Sequence, residues 1–186
     1  MLITTKCRAV ANYIIEETNK FNEDKSLREQ VIMSGRRLQK LLYFCNIEYM
    51  KIHNGKSFFE DDFYAWPSGP VIPNVYRVYI QYQDGKMFPR YEGEIIELTA
   101  EEKSIIDKIL NQTQELDSID LINITNINNG PWQKLYNEHD SEHNQTIPKE
   151  EIYGFYLDKN ESMPKHEQSG PVLTKKKTPP RNTGNK

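Results

Sequence analysis

His139 and His143 stand four residues apart, the spacing that puts two imidazoles on one helical face for a zinc ion. The residues between them, Asp140-Ser141-Glu142, place no Glu directly after the first His, so the metalloprotease pattern is not met. The flanking segment reads as a polar loop, and no metal is assigned. The run Glu60-Asp61-Asp62 offers paired carboxylates for acid–base work or for a hard cation, although solvated loop acids explain it more simply. Ser68-Gly69 is half of a nucleophile turn, but prolines flank it and no helix follows the serine directly. Cys7 and Cys45 fall inside apolar helical patterns with no partner base and no metal or redox spacing. No Gly-rich phosphate loop and no Gly-x-Ser-x-Gly motif occurs. The expectation is a protein without a catalytic centre, a cofactor or a metal.

The elements around these residues carry stronger signals. Trp66-Pro67-Ser68-Gly69-Pro70-Val71-Ile72-Pro73 packs three prolines and a glycine into eight residues. Each proline fixes φ and pushes its predecessor towards extended geometry, while Gly69 is free to take φ > 0. The turn is stiff before folding, so ordering it costs little chain entropy. Upstream, Cys7, Val10, Ala11, Ile14 and Ile15 form a helical stripe that ends near Phe21. Asn22 to Gln30 reads as a loop. Ser34 is the expected N-cap of the strongest helix, whose face runs Leu38, Leu41, Leu42, Cys45, Tyr49, Ile52. Tyr43, Phe44, Ile47 and Met50 make it apolar on the other sides too, so residues 34–53 should be the central element, stopped by Asn54-Gly55.

Downstream, Phe58, Phe59, Phe63 and Tyr64 suggest an extended segment that pairs with Glu94-Ile95-Ile96-Glu97-Leu98 as a two-stranded element. Pro73 should open a helix carrying Val75, Tyr76, Tyr79 and Ile80 and ending near Asp84-Gly85. Thr99-Ala100-Glu101-Glu102 is a capping box for a helix bearing Ile105, Ile106, Ile109 and Leu110. Asp117 or Ser118 caps a short helix through Ile124, Gly130-Pro131-Trp132 terminates it, and Ile147-Pro148 starts a last helix through Leu157. The fold class is mainly α: one helical domain over residues 1–158 around a buried central helix, followed by a tail.

Composition sets the surroundings. The chain has 186 residues, enough for one domain with a real core. Mean hydropathy is −0.78, and no apolar run approaches the roughly 18 residues of a membrane helix. The N-terminus shows no signal-peptide pattern, and with two isolated cysteines a reducing, cytoplasmic setting is expected. Residues 1–158 carry 17 Lys and Arg against 25 Asp and Glu, a net of −8, whereas residues 159–186 carry 7 against 2, a net of +5. An acidic body argues against nucleic-acid binding, which rests on phosphate neutralisation. Only the basic tail, with Lys175-Lys176-Lys177-Thr178-Pro179-Pro180-Arg181, leaves that route open; its composition is that of a disordered segment.

Leu38-Gln39-Lys40-Leu41-Leu42-Tyr43-Phe44, followed by Phe63-Tyr64-Ala65-Trp66-Pro67-Ser68-Gly69-Pro70-Val71-Ile72-Pro73-Asn74-Val75-Tyr76, closely resembles the Panacea domain, the SocA-like antitoxin family once grouped with phage-associated proteins. The order continues downstream. Leu121-Ile122-Asn123-Ile124-Thr125-Asn126 stands where the family shows Leu-x-x-Leu-Thr-His, and Pro131-Trp132 matches its Pro-Trp. The resemblance spans about residues 7–158. One departure is clear, since Asn126 replaces the family's histidine. A chemical or proton-dependent role of that histidine would be lost here, whereas a structural hydrogen bond would survive, because Asn also donates and accepts.

The resemblance implies an antitoxin that neutralises a cognate toxin by direct protein–protein contact. The alternatives are an adaptor that presents a partner to a protease, with the tail as its working part, and an enzyme using Asp61, Asp62 and His139. Gln39 and Lys40 cannot both enter an apolar core unpaired. Either they satisfy buried backbone groups near Gly69-Pro70 or they face a groove, and the cost of an unpaired buried polar group favours the first. Tyr43, Trp66, Tyr76 and Trp132 read equally as interface anchors or as a core cluster.

Overall fold

The computed structural model describes residues 3–80, 87–139 and 145–158. Local capping chemistry sets most of its boundaries. Thr4 is extended and its side chain accepts from the Cys7 N–H, which starts α1 at Thr5–Asn22. Asp61 reinforces this start from a distant loop, taking hydrogen bonds from the Thr4 N–H at 3.3 Å and from its hydroxyl. Ser34 caps α2, Gly35–Ile52, by accepting from the Arg37 N–H. Past the C-cap His53, Asn54 and Gly55 take φ of 50° and 86°, a left-handed exit that Asn tolerates and that Gly, lacking a Cβ, adopts freely. Pro73 occupies the first position of α3, Pro73–Tyr79, where its missing N–H costs nothing. Residues 81–86, which hold the expected helix end at Asp84-Gly85, lie outside the described residues.

The remaining helices are α4 (Ala100–Thr113), α5 (Ser118–Thr125), α6 (Pro131–Leu135) and α7 (Lys149–Asp158). Thr99 and Glu102 close the capping box at α4 in both directions, and Asp117 with Asp120 does the same at α5. α2 is the hub. Residues 37–50 are buried without interruption, and α1, α3, α4, α5 and α7 all pack on it. Of the expected apolar face, only Ile52 turns outward, at 47% exposure in the last turn. Ion pairs tie α4 to its neighbours: Lys6 to Glu102 at 2.7 Å, and Lys108 to Glu48.

The sheet differs from the expectation. Phe63–Trp66 forms β1, but its partners are β2 (Gly69–Val71) and β3 (Thr146–Ile147), both antiparallel, in the order β2-β1-β3. Residues 94–98 form no strand. The proline-rich turn supplies the nearer partner instead, because a hairpin closes a far shorter loop than a pairing thirty residues away. Gly130-Pro131-Trp132 also behaves differently from the sequence reading. α5 already ends at Asn126, and Pro131 opens α6, again as a proline in the first position of a helix. No helix among the described residues is long and apolar enough to cross a membrane. The tail, residues 159–186, lies outside the described residues.

Candidate functional site

The hairpin between β1 and β2 has Pro67 and Ser68 at its tip, with Trp66 opposite Gly69. Proline cannot take φ > 0, so the mirror-image turns usual in two-residue hairpins are closed to it. Gly69 completes the reversal instead, at φ 95°. From beneath, α2 holds the hairpin by its main chain. The Gln39 amide oxygen accepts from the Ile72 N–H at 2.8 Å, and its nitrogen donates to the Ile72 carbonyl at 3.4 Å. The Lys40 ammonium donates to the Pro70 carbonyl at 3.0 Å. Both side chains are 1% exposed, so of the two readings open from the sequence, the structure takes the one in which they satisfy buried backbone groups. Burial holds the Lys40 amine down at about 7, and Arg36 pushes it the same way.

Gly69 lies at the centre of a polar crib. A Cβ there would come within 2.6 Å of Asn126 Oδ1, 2.8 Å of Lys40 Nζ and 3.0 Å of Thr125 Oγ1. Thr125 and Asn126 are the last residue and the C-cap of α5. The Thr125 hydroxyl is within 2.9 Å of the Ile122 carbonyl and 3.3 Å of Asn126 Oδ1, so α2, α5 and the hairpin meet at this one glycine. Asn126 keeps a hydrogen-bonding atom at the junction. Pro70 and Val71 are buried beside it, Pro70 supplying the carbonyl that Lys40 binds.

The aromatic motif residues divide into two sets. Tyr43 is fully buried and sits edge-on to Phe63 at 5.0 Å, so it belongs to the core. Trp66 and Tyr76 are half-buried and T-shaped at 5.1 Å. Pro131 is buried and begins α6, which places the Trp132 indole N–H 2.8 Å from the Trp66 carbonyl, with Tyr136 stacked on the indole at 4.7 Å. Replacing Trp132 by Phe should leave that carbonyl without its donor at a site only 8% exposed. The expected loss is about 1–2 kcal/mol, read as a lower urea midpoint with an unchanged slope.

The residues first weighed for chemistry are not brought together. Asp61 serves the start of α1, Asp62 faces Lys149 at 3.4 Å, and the Glu60 carbonyl accepts from the same ammonium at 2.8 Å. His139 is exposed in a turn beside Glu138, and His143 lies outside the described residues. Among the described residues, no group of three or more His, Cys, Asp or Glu is placed to hold a metal ion. Cys7 and Cys45 are free and buried, and desolvation raises both thiols well above their ordinary range.

Two organising residues escape the sequence reading. Asn12 is buried within α1 and grips the main chain of Arg90 in both directions, each bond 2.7 Å. Arg37, 3% exposed, donates to the Leu116 carbonyl and, at 2.7 Å, to the Thr113 carbonyl, capping the end of α4 from another helix. For Asn12 the available signal is a lone amide inside the apolar run Val10 to Ile15. Arg37 gives none, because its partners come from the far end of a distant helix.

These features define a mainly helical domain in which one central helix, a proline-rich hairpin and a short capped helix lock together around a glycine. The family described as antitoxin SocA-like, Panacea domain, matches residues 38–133, from α2 into α6, and the chain belongs to that family. It is 26% identical over 140 residues to Antitoxin SocA of Caulobacter vibrioides (strain NA1000 / CB15N), covering 70% of this chain and 70% of that protein. No solved structure matches the chain significantly.

Proposed function

We propose that this protein is an antitoxin that neutralises a cognate toxin by binding it directly, with no catalytic step of its own. Family membership over residues 38–133 carries this reading. The internal bonding of the motif residues supports it. Gln39, Lys40, Thr125 and the Trp132 indole spend their polar atoms on the fold itself, which favours a scaffold role for them and partner recognition by the exterior. The net charge of −8 on residues 1–158 favours a protein partner over a nucleic acid. The proposed setting is the cytoplasm, where Cys7 and Cys45 would stay reduced.

The test is co-expression with the product of the adjacent open reading frame. That product alone should arrest growth, and this chain should restore growth and co-purify with it. A growth arrest that the full-length chain leaves untouched, with no complex recovered, would sink the proposal.

A further inference from the structure

Residues 87–98 cross the outside of α1 as an extended strap. Met87 and Leu98 anchor its two ends, at 1% and 8% exposure. Between these anchors Phe88, Tyr91 and Ile95 are exposed, at 52%, 53% and 67%, while Ile96 is half-buried. α1 holds the strap through its main chain. Asn19 donates to the Met87 carbonyl at 2.9 Å, Asn12 pairs with both backbone groups of Arg90, and Arg8 donates to the Glu94 carbonyl at 2.6 Å. The Tyr79 hydroxyl, 3.0 Å from Asn12 Oδ1, orients the amide.

A grip of this kind fixes the path of the strap through its backbone and leaves Tyr91 and Ile95 exposed. It also removes beforehand the ordering cost that a loose loop would incur on binding. Exposed Glu92, Glu94 and Glu97 interleave with Tyr91 and Ile95, so the outer face is both apolar and acidic. A recess of about 230 Å³ opens between the strap and α1, with Ala9, Tyr13, Tyr91, Ile95 and Ile96 as its apolar wall and Arg8, Arg90 and Lys103 set against Glu16, Glu94 and Glu97 around them. It is smaller than the roughly 300–1,000 Å³ of small-molecule sites, which suits one inserted side chain better than a metabolite.

We propose that the outward face of residues 88–97 is the toxin-docking surface. It takes a basic face of the toxin that carries one apolar anchor for the recess, and this proposal rests on the antitoxin reading above. The competing surface is the trough beside the loop joining α1 to α2, whose two hollows measure about 510 and 560 Å³ and where Leu27 and Ile32 are exposed. Its charges are of both signs, with Lys20, Lys25, Arg28 and Arg37 beside Glu17, Glu29, Asp107, Glu115 and Asp117. Lys20 pairs with Glu17, and Arg37 is bound to the end of α4, so it presents no single sign to a partner.

The experiment is calorimetry of the full-length chain against the purified product of the adjacent open reading frame, at low and high salt. Tyr91→Asp with Ile95→Asp should weaken binding by about 100-fold or more, as loss of interface anchors does. Glu92→Lys with Glu94→Lys should weaken it at low salt and flatten its salt dependence. Leu27→Asp with Ile32→Asp should change affinity by less than about twofold, as a substitution outside the interface. All six positions are exposed, so unchanged melting temperatures certify that each variant is folded. Strap variants that bind like the unaltered chain, or a loss confined to Leu27 and Ile32, would overturn the assignment. An unaltered chain that neither binds nor rescues growth removes the antitoxin reading itself, and this shows before any variant is made.

Discussion

Gly69→Ala is expected to destabilise the protein by about 3 kcal/mol, a φ near +95° costing a residue with a Cβ on the order of 1–3 kcal/mol by itself. The added methyl would also press on three polar atoms at 2.6, 2.8 and 3.0 Å. Two of these cannot move freely. Lys40 Nζ is tied to the Pro70 carbonyl, and the Thr125 hydroxyl lies against the Ile122 carbonyl. Pushing either aside breaks a bond in a dry environment, where an unmet polar group costs about 1–3 kcal/mol. The measurement is urea denaturation of the two proteins side by side. Gly154→Ala serves as the contrast, since nothing lies within 4 Å of a Cβ at that exposed position in α7. There the change should stabilise by about 0.5–1 kcal/mol through helix propensity. If both substitutions behave alike, the crib around Gly69 is not a constraint.

The second large effect is a pH dependence carried by Lys40. The amine is held at about 7 in the folded protein because burial disfavours its charged form. In the unfolded chain it returns to its ordinary value near 10.5. Between those values the unfolded state binds more protons than the folded one, so stability must rise with pH. Below pH 7 both states are protonated, and the fold bears the full cost of a buried charge. The gain from pH 7 to pH 9 should come to about 2 kcal/mol for one proton.

Above pH 9 the sign reverses. Burial raises the Cys7 and Cys45 thiols and the Tyr43 and Tyr156 phenols, so the unfolded chain loses those protons first and the fold loses stability. Lys40→Met removes the linkage. It should abolish the rise between pH 7 and 9 and leave the decline that the Cys7 and Cys45 thiols set as pH 9 is approached, with its own cost at the Pro70 carbonyl left without a donor. A wild-type profile that runs parallel to that of Lys40→Met over that window would contradict the burial of the amine.

The extent to which the chain announces this structure follows from the range of each signal. Ser34, Thr99 with Glu102, Asp117 and Pro73 act within one helical turn of themselves, and each boundary they imply is found. Leu38 to Met50 is apolar on every side, a pattern that only a central helix can bury. Glu94–Leu98 has the alternation of a strand but no partner edge. The edges of β1 are taken by Gly69–Val71 and Thr146–Ile147. Strand pairing is decided between segments, and no property of one segment reveals that its place is filled.

Helix periodicity, caps, the stiffness of the proline-rich turn and the uneven charge of body and tail were settled by residue type and near-neighbour spacing, because those terms act over three or four residues. Tertiary structure alone decided that Lys40, Thr125 and Asn126 converge on Gly69, that Arg37 caps a helix more than seventy residues away, and that Asn12 straps residues 87–98 across α1. A buried polar atom must be paired, but which backbone group pairs it depends on how whole helices pack, and that information is spread over the entire core.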